Sequence, residues 1–515
     1  MNDYPILAQY TIRSKQDYIF RTNRLLEIVG GSAIITESFD LLFQCADECG
    51  MKIERADNGF CMEETLRAFN AGSLDMVELF IGGGNETVMY KNDTVYRKVN
   101  ERFTYHILKE FPGLLPMCVC FPVCKRKEDG KFNYKKDYEE LMKAADREKN
   151  RMVPQRGRYA LPFARTDRVT FQPISNKISV EREERWMSEE SLIKHRFGLN
   201  DVKNEDESRM LDNLVTKKGD ESLLAIVHAD GNNMGVKIRN KLGNHTDYDF
   251  CVNAMREFTK EISDVFSKEG RKAVERRRDE LRKVLEKSGD NPNGLRGEAF
   301  ALRWLVCDGD DATFICNARL ARDLTEAYLR AVSAYGQSGE SYSSCAGICI
   351  FHSHYPFARA YELAEQACDN AKEPVHKSGA EQSWIDFHYI HSGVGGDLDE
   401  LRKRHQTGKL MARPWLICGE SESGYRRIER LDALKTILDR YHVTRSSIKA
   451  LGTACEEDVQ KALQEWSRVC YHAKPIDKKS LSAAALENGL REEDLIKMLY
   501  DLAEVCDLWY AREET

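Results

Sequence analysis

Three aspartates carry the most informative chemistry in this chain. Asp308-Gly309-Asp310-Asp311 lies between two apolar runs, Ala301–Cys307 (ALRWLVC) and Ala312–Cys316 (ATFIC), and so occupies the turn of an expected hairpin. About eighty residues upstream another apolar run, Leu223–Ala229 (LLAIVHA), ends on Asp230-Gly231. Carboxylates on strand ends and hairpin turns are what a nucleotidyl-transfer centre needs. Two divalent cations about 3.5–4 Å apart stabilise the attacking 3′-oxygen and the leaving pyrophosphate together. Magnesium keeps several waters and takes one or two carboxylates plus substrate phosphate oxygens, so three aspartates suffice for a pair. Asp230, Asp310 and Asp311 are the candidate catalytic and metal-binding residues, with Gly231 counted in the metal site. Asp–Gly turns also arise wherever a hairpin needs one. The tetrad gains weight because a second acidic strand end stands in the matching place.

Around these acids, Gly231, Asn232, Asn233, Met234 and Gly235 span the passage from strand into helix, where backbone amides can point at a triphosphate. Gly309 and Lys372 complete this nucleotide-binding set, the lysine reaching for a phosphate from the end of its helix. A second turn, Gly82-Gly83-Gly84-Asn85, is the counterpart of the acidic hairpin but holds no carboxylate; Glu86 follows it. That turn is expected to lay bare backbone against a nucleotide, since glycine allows close approach, and not to hold a metal pair. His352 with His354, and His388 with His391, have no third ligand in sight and read as ordinary polar positions.

The elements that must position these residues repeat. A strand at Ile6–Ile12 precedes a helical stretch through Leu25 and Ile28, a hairpin of Met76–Ile81 and Thr87–Tyr90, a helix at Val95–Lys109 and a strand at Met117–Val123. The second half runs the same way. Leu223–Ala229 precedes a helical, charged Tyr248–Glu286 and the acidic hairpin. A helix at Ala318–Tyr335, a strand at Ser344–Phe351, a helix at Pro356–Lys372 and a strand at Trp384–Tyr389 follow. Strand, helix, hairpin, helix, strand is the order of a ferredoxin-like unit. The expected fold is α+β: a first palm at 1–124, a polar connecting subdomain at 125–220, a second palm at 221–400 and a helical bundle at 401–515. In the bundle, apolar residues recur at three- and four-residue spacing.

Bulk properties narrow the class. A chain of 515 residues exceeds one ordinary core. The net charge of −7 argues against broad coating of nucleic acid, and the mixed-sign run Arg271–Lys283 reads as a solvated helix face. Neither a signal peptide nor an apolar run long enough for a membrane span is visible, so a cytoplasmic location is expected. The sixteen cysteines include no CxxC pair and read as reduced, mostly buried thiols.

Taken in order, Ser14–Ser32 (SKQDYIFRTNRLLEIVGGS), Gly82–Asn85, His228–Gly235 (HADGNNMG), Asp308–Asp311, Ser344–Lys372 and Ile385–Tyr389 (IDFHY) cover roughly residues 1–400. With them the chain resembles the large polymerase-like subunit of type III CRISPR effector complexes, a cyclic-oligoadenylate synthase with paired palm domains. The resemblance implies ATP or another nucleoside triphosphate as substrate, Mg2+ or Mn2+ as cofactor, and cyclic or linear 3′–5′ oligoadenylates as second messengers in antiviral defence. It maps Asp310 and Asp311 onto the family's metal-binding pair and Asp230 onto the first acid of its strand motif. The chain departs from the pattern at Asn232, where a second acid is common, and at Asp308, which replaces a glycine. The family's N-terminal His-Asp nuclease domain and its inter-palm zinc-binding cysteines have no counterpart, so a shorter, stand-alone synthase is expected. RNA or effector-complex subunits are the further partners considered. The alternative is a catalytically silent palm protein that binds nucleotide or RNA as a regulatory subunit.

Overall fold

The structure, a computed structural model, describes residues 4–508 apart from 56–58, 127–129, 153–162, 168–169, 181–182, 202–221, 289–301, 336–340, 391–394, 405–409, 421–423, 477 and 487–489. Parts of the expected connecting subdomain, as well as Ala301, His391 and Trp509, therefore lie outside the described residues.

In chain order the first elements are β1 (Ile6–Arg13), α1 (Lys15–Phe20), α2 (Leu25–Glu48), β2 (Ile53–Glu54), α3 (Met62–Ala71), β3 (Met76–Gly82), β4 (Asn85–Tyr90), α4 (Asp93–Glu110) and β5 (Leu115–Pro122). The connecting region supplies α5 (Tyr134–Arg151), the hairpin β6 (Asn176–Val180) with β7 (Glu183–Met187), and α6 (Glu189–Asp201). Next come β8 (Leu223–Gly231), α7 (Met234–Leu242), α8 (Tyr248–Ile262), a π-helical turn at Ser263–Glu269, and α9 (Gly270–Ser288). The rest of the second half is β9 (Leu302–Asp308), β10 (Asp311–Asn317), α10 (Ala321–Ala334), β11 (Ser344–His352), α11 (Phe357–Ser378) and β12 (Ser383–Tyr389). The terminal region holds α12 (Leu398–Arg404), β13 (Trp415–Cys418), α13 (Ile428–Arg440), α14 (Arg445–Glu457), α15 (Val459–His472), α16 (Leu481–Ala485) and α17 (Glu492–Val505).

One sheet runs β2-β3-β4-β1-β5 and the other β13-β12-β11-β8-β10-β9. Each contains the same four-strand core: the first and third strands of the motif are neighbours, the second flanks the third, and the fourth flanks the first. β3-β4-β1-β5 and β9-β10-β8-β11 are thus the two ferredoxin-like units of an α+β palm fold. The second sheet is extended by β12, parallel to β11, and by β13, a four-residue strand antiparallel to β12 inside the region expected to be wholly helical. The single helix expected over Tyr248–Glu286 is divided by the π-helical turn.

Two compact units divide the chain. Unit 1 holds Met1–Met210, Asn233–Ser267 and Asp308–Asp310; unit 2 holds Leu211–Asn232, Lys268–Cys307 and Asp311–Thr515. Unit 1 therefore includes α7 and α8, which follow β8 in the chain. The reason lies in the apolar face of α8. Tyr248, Cys251, Val252 and Met255 recur at helical spacing and join a core with Leu7, Val77, Leu79, Met89 and Met117. Burying a large apolar side chain is worth roughly 2 kcal/mol, so four of them fix the helix there. Asp247 caps it, its side chain accepting from the Phe250 amide. Arg256 of α8 donates to the carbonyls of Leu79 and Glu78, each at 2.6 Å, where β3 is irregular.

In unit 2, α11 lies against β11 so closely that a Cβ on Gly347 would stand 1.9 Å from the Ala364 carbonyl oxygen; only glycine fits there. The last helix is anchored by Arg413, whose Nε lies 3.0 Å from Asp501 and whose guanidinium also pairs with Glu504, while Trp415 Nε1 donates to Asp501 at 2.9 Å. Burial nevertheless pushes the Asp501 carboxyl up to about 6, with Arg413 opposing the rise. Among the described residues no helix is long and apolar enough to cross a membrane.

Candidate active site

β8 lies between β10 and β11 with antiparallel pairing on both sides. The β8–β10 ladder pairs Ala229 with Ala312 and His228 with Thr313, so Asp230 and Asp311 are its next facing positions, with Cα atoms about 5 Å apart. Side chains directly opposite share a face. His228 Nδ1 and Thr313 Oγ1 are 3.1 Å apart, and the His228 ring meets Tyr361 of α11 edge-on at 5.5 Å. Asp230 and Asp311, two residues along on each strand, therefore project from the α11 side of the sheet. Gly309 supplies the positive φ (62°) that lets the hairpin reverse. Asp310 is the next residue, directly before Asp311 in the turn.

The Asp230 carboxylate forms an ion pair with Lys372 of α11. That ammonium also lies 3.5 Å from the Gly231 carbonyl oxygen. Burial lowers the affinity of Lys372 for its proton, yet Asp230 prevails and the pKa rises overall, so the lysine stays charged. His228 is buried and neutral: desolvation drives its pKa down to about 4, partly opposed by Asp230 and reinforced by Lys372. On the same helix Glu365 is pushed up by burial and by the neighbouring charges of Asp369, Glu362 and Asp230.

Whether a cation suits this place turns on the donor set. Two carboxylates face one another on one side of the sheet and a third follows in the turn. That set fits an ion brought in with phosphate oxygens, which complete the shell. It is not a ready-made cage. Among the described residues no three His, Cys, Asp or Glu side chains gather closely enough to hold a metal ion, and Asp230 is turned onto Lys372.

The strand-to-helix passage divides by role. Asn232 is 2% exposed, and its amide donates to Ser343 Oγ and the Gln382 carbonyl, both at 2.9 Å. The side chain thereby ties the strand end to its own sheet. Asn233 adopts a left-handed conformation (φ 58°, ψ 23°) as the N-cap of α7, and Met234 opens that helix. Gly235 is exposed, and a Cβ there would meet nothing nearer than Arg239 at 3.9 Å. Lys372, expected to reach a phosphate, holds Asp230 in this structure.

The glycine turn of unit 1 has local reasons for its composition. Gly83 and Gly84 take φ of 58° and 66°, the pair of positive values a type I′ hairpin turn requires. Gly82 lacks room for a side chain, because a Cβ would stand 2.5 Å from Thr259 Cγ2 of α8. Asn85 Nδ2 donates back to the Gly83 carbonyl at 3.3 Å. Glu86, next along, is fully buried, and both its oxygens lack a hydrogen-bond partner among the described residues. It alternates to the opposite face from Asn85.

Sequence reasoning passed over Lys15. Its Nζ donates to the Gly84 carbonyl at 2.5 Å. The available signal was its place immediately after the first strand, where the second palm has Met234.

Strand order and acidic hairpin define the second half as a palm domain. Residues 223–379 match the family model described as Cas10/Cmr2, second palm domain. The crystal structure of Csm1 in T. onnurineus is similar over 98% of this chain and 69% of its own, at 12% identity and a TM-score of 0.48. A Csm1–Csm4 cassette in complex with pppApApA is similar over 98% and 70%, at 13% identity and 0.48. The cassette in complex with cA4 is similar over 97% and 70%, at 12% identity and 0.45. No curated protein matches the chain in sequence.

Proposed function

We propose that the chain is a metal-dependent nucleotidyltransferase that joins ATP-derived nucleotides into a cyclic oligonucleotide signal for antiviral defence. The supporting observation is the β8–β10 register, which carries Asp230 and Asp311 to facing positions within a Cas10/Cmr2-type palm. In the reaction the 3′-oxygen of one nucleotide bonds to the α-phosphorus of another. The bond to pyrophosphate breaks and the hydroxyl proton passes to solvent. Asp230, Asp310 and Asp311, with the Gly231 carbonyl, would hold Mg2+ or Mn2+, which supplies charge neutralisation at the phosphates when bound. Backbone amides of Asn233–Gly235 orient the triphosphate. Lys372 exchanges its partner: the incoming phosphate takes its ammonium, and Asp230 is released to its ligand role.

One observation favours the silent, nucleotide- or RNA-binding alternative, namely that a would-be metal ligand is already paired with Lys372. Incubation with labelled ATP and Mn2+, with and without RNA, separates the two. Pyrophosphate release and an oligoadenylate mass in the wild type, both absent from the Asp310→Ala/Asp311→Ala variant, support catalysis. Nucleotide binding without any release supports the silent reading.

A further inference from the structure

The helix expected as one piece over Tyr248–Glu286 is wound more widely at Ser263–Glu269. A π-helical turn, closed by i→i+5 hydrogen bonds, is rare and is found mostly at functional places. Here both flanks are pinned. Arg256 of α8 holds the Leu79 and Glu78 carbonyls. At the first residue of α9, a Cβ on Gly270 would stand 2.5 Å from the Tyr328 ring. Val265 and Phe266 within the turn are fully buried. The wider winding takes up the difference between these fixed points, and it sets the direction of the next residue, Ser267.

Ser267 Oγ donates to the Gly309 carbonyl oxygen at 3.3 Å, and both residues belong to unit 1. That carbonyl is part of the peptide group linking Gly309 to Asp310, so its direction sets where the Asp310 backbone begins. Gly309 has a φ of 62° and no side chain to restrain it, and glycine reorients its backbone more freely than any other residue. Gly309 also meets Gly83, whose backbone is 3.6 Å from where a Cβ on Gly309 would stand. Such a contact limits how near the turn can come and leaves its peptide groups free to rotate. A hydrogen bond is directional and fixes them. A carboxylate must be held within roughly 0.5 Å of its working place to serve a cation well.

We infer that the π-helical turn is a positioning element for the candidate metal site. Ser267 fixes the Gly309–Asp310 peptide and through it the Asp310 carboxylate, so cation affinity depends on a hydroxyl that is not itself a ligand. This rests on the reading of Asp310 as a cation ligand given above.

The test is a Mn2+ titration of the full chain with α,β-methylene-ATP, which cannot release pyrophosphate, followed by loss of the free-ion EPR signal against a protein-free control. Ser267→Ala is expected to weaken Mn2+ binding about fivefold, as loss of one neutral hydrogen bond would, and to melt in EDTA like the wild type. Ser267→Thr keeps the hydroxyl and the wild-type affinity. Should Ser267→Ala melt lower, Ser267→Cys, close in size and a weaker donor, makes the comparison and is expected to fall between. In an Asp310→Ala background, Ser267→Ala should add no further loss, because the two residues act as one unit. Wild-type affinity in Ser267→Ala, an equal loss in Ser267→Thr, a further loss in the Asp310→Ala background, or no Mn2+ binding by the wild type overturns the inference. Failure of catalysis is distinguishable. A chain that releases no pyrophosphate from ATP yet binds Mn2+ in a Ser267-dependent way loses the enzyme reading and keeps this one; an active chain whose Mn2+ affinity ignores Ser267 does the reverse.

Discussion

At the end of β1 the chain carries Thr11 opposite Asn85; at the end of β8 it carries Asp230, with Asp311 at the facing place of the neighbouring strand. The backbones agree in strand order, hairpin and the left-handed residue that follows. The two palms share a frame and differ in the charges it carries. Polar groups at strand ends contribute little to the core, so they change without disturbing the sheet; the residues beneath them do not enjoy that freedom. The acids also differ in setting. Asp230 is partly open and paired with Lys372, whereas the first palm's Glu86 is sealed on the other face with no hydrogen-bond partner among the described residues.

The largest expected effect breaks the comparison outright. Asp310→Ala/Asp311→Ala should take pyrophosphate release to background, a loss on the order of a thousandfold or more, whereas Asn85→Ala at the matched position should leave chemistry within an order of magnitude. Thermal melts should show both variants folded. Next in size, Gly82→Ala forces a methyl against Thr259 and should cost about 1–3 kcal/mol of stability, measured by urea unfolding. Thr259→Ser should return part of that loss.

Glu86 gives a pH signature. Burial, with Glu78 and Asp40 nearby, raises its pKa well above the ordinary carboxylate value, and Arg55 opposes the rise. A carboxyl raised in the folded state costs nothing below its unfolded pKa, and it weakens the fold as pH climbs towards the raised value. Glu86→Gln should therefore be near neutral at pH 4 and stabilising at pH 8, on the order of 1–2 kcal/mol. Equal effects at both pH values would contradict the buried acid. The smallest effect sharpens the register: Thr11→Asp with Asn85→Asp places like charges opposite one another, costing up to about 1 kcal/mol. Melting in EDTA should reveal the loss, and Mn2+ should reverse it.

Local pattern determined much of this protein before any coordinates. The apolar runs ending on Asp230 and flanking Asp308–Asp311 announced strands and a tight hairpin, because alternation, β-branched content and Asp–Gly chemistry act within a few residues. The repeated order of elements announced two palms for the same reason. Other features depended on segments distant in the chain. Lys372 and Asp230 are 142 residues apart, and their pairing follows from how α11 lies along β11. The Asn232 amide is held by Ser343 and Gln382, both distant in the chain. The placement of α8 in unit 1 was set by an apolar face whose partner strands begin far upstream. β13 is too short to stand out from sequence alone and exists because β12 offers it an edge. Composition and spacing thus chose the elements and the chemical groups. Tertiary packing chose which groups face one another, since ion pairs, buried amides and ladder registers are properties of two segments and never of one.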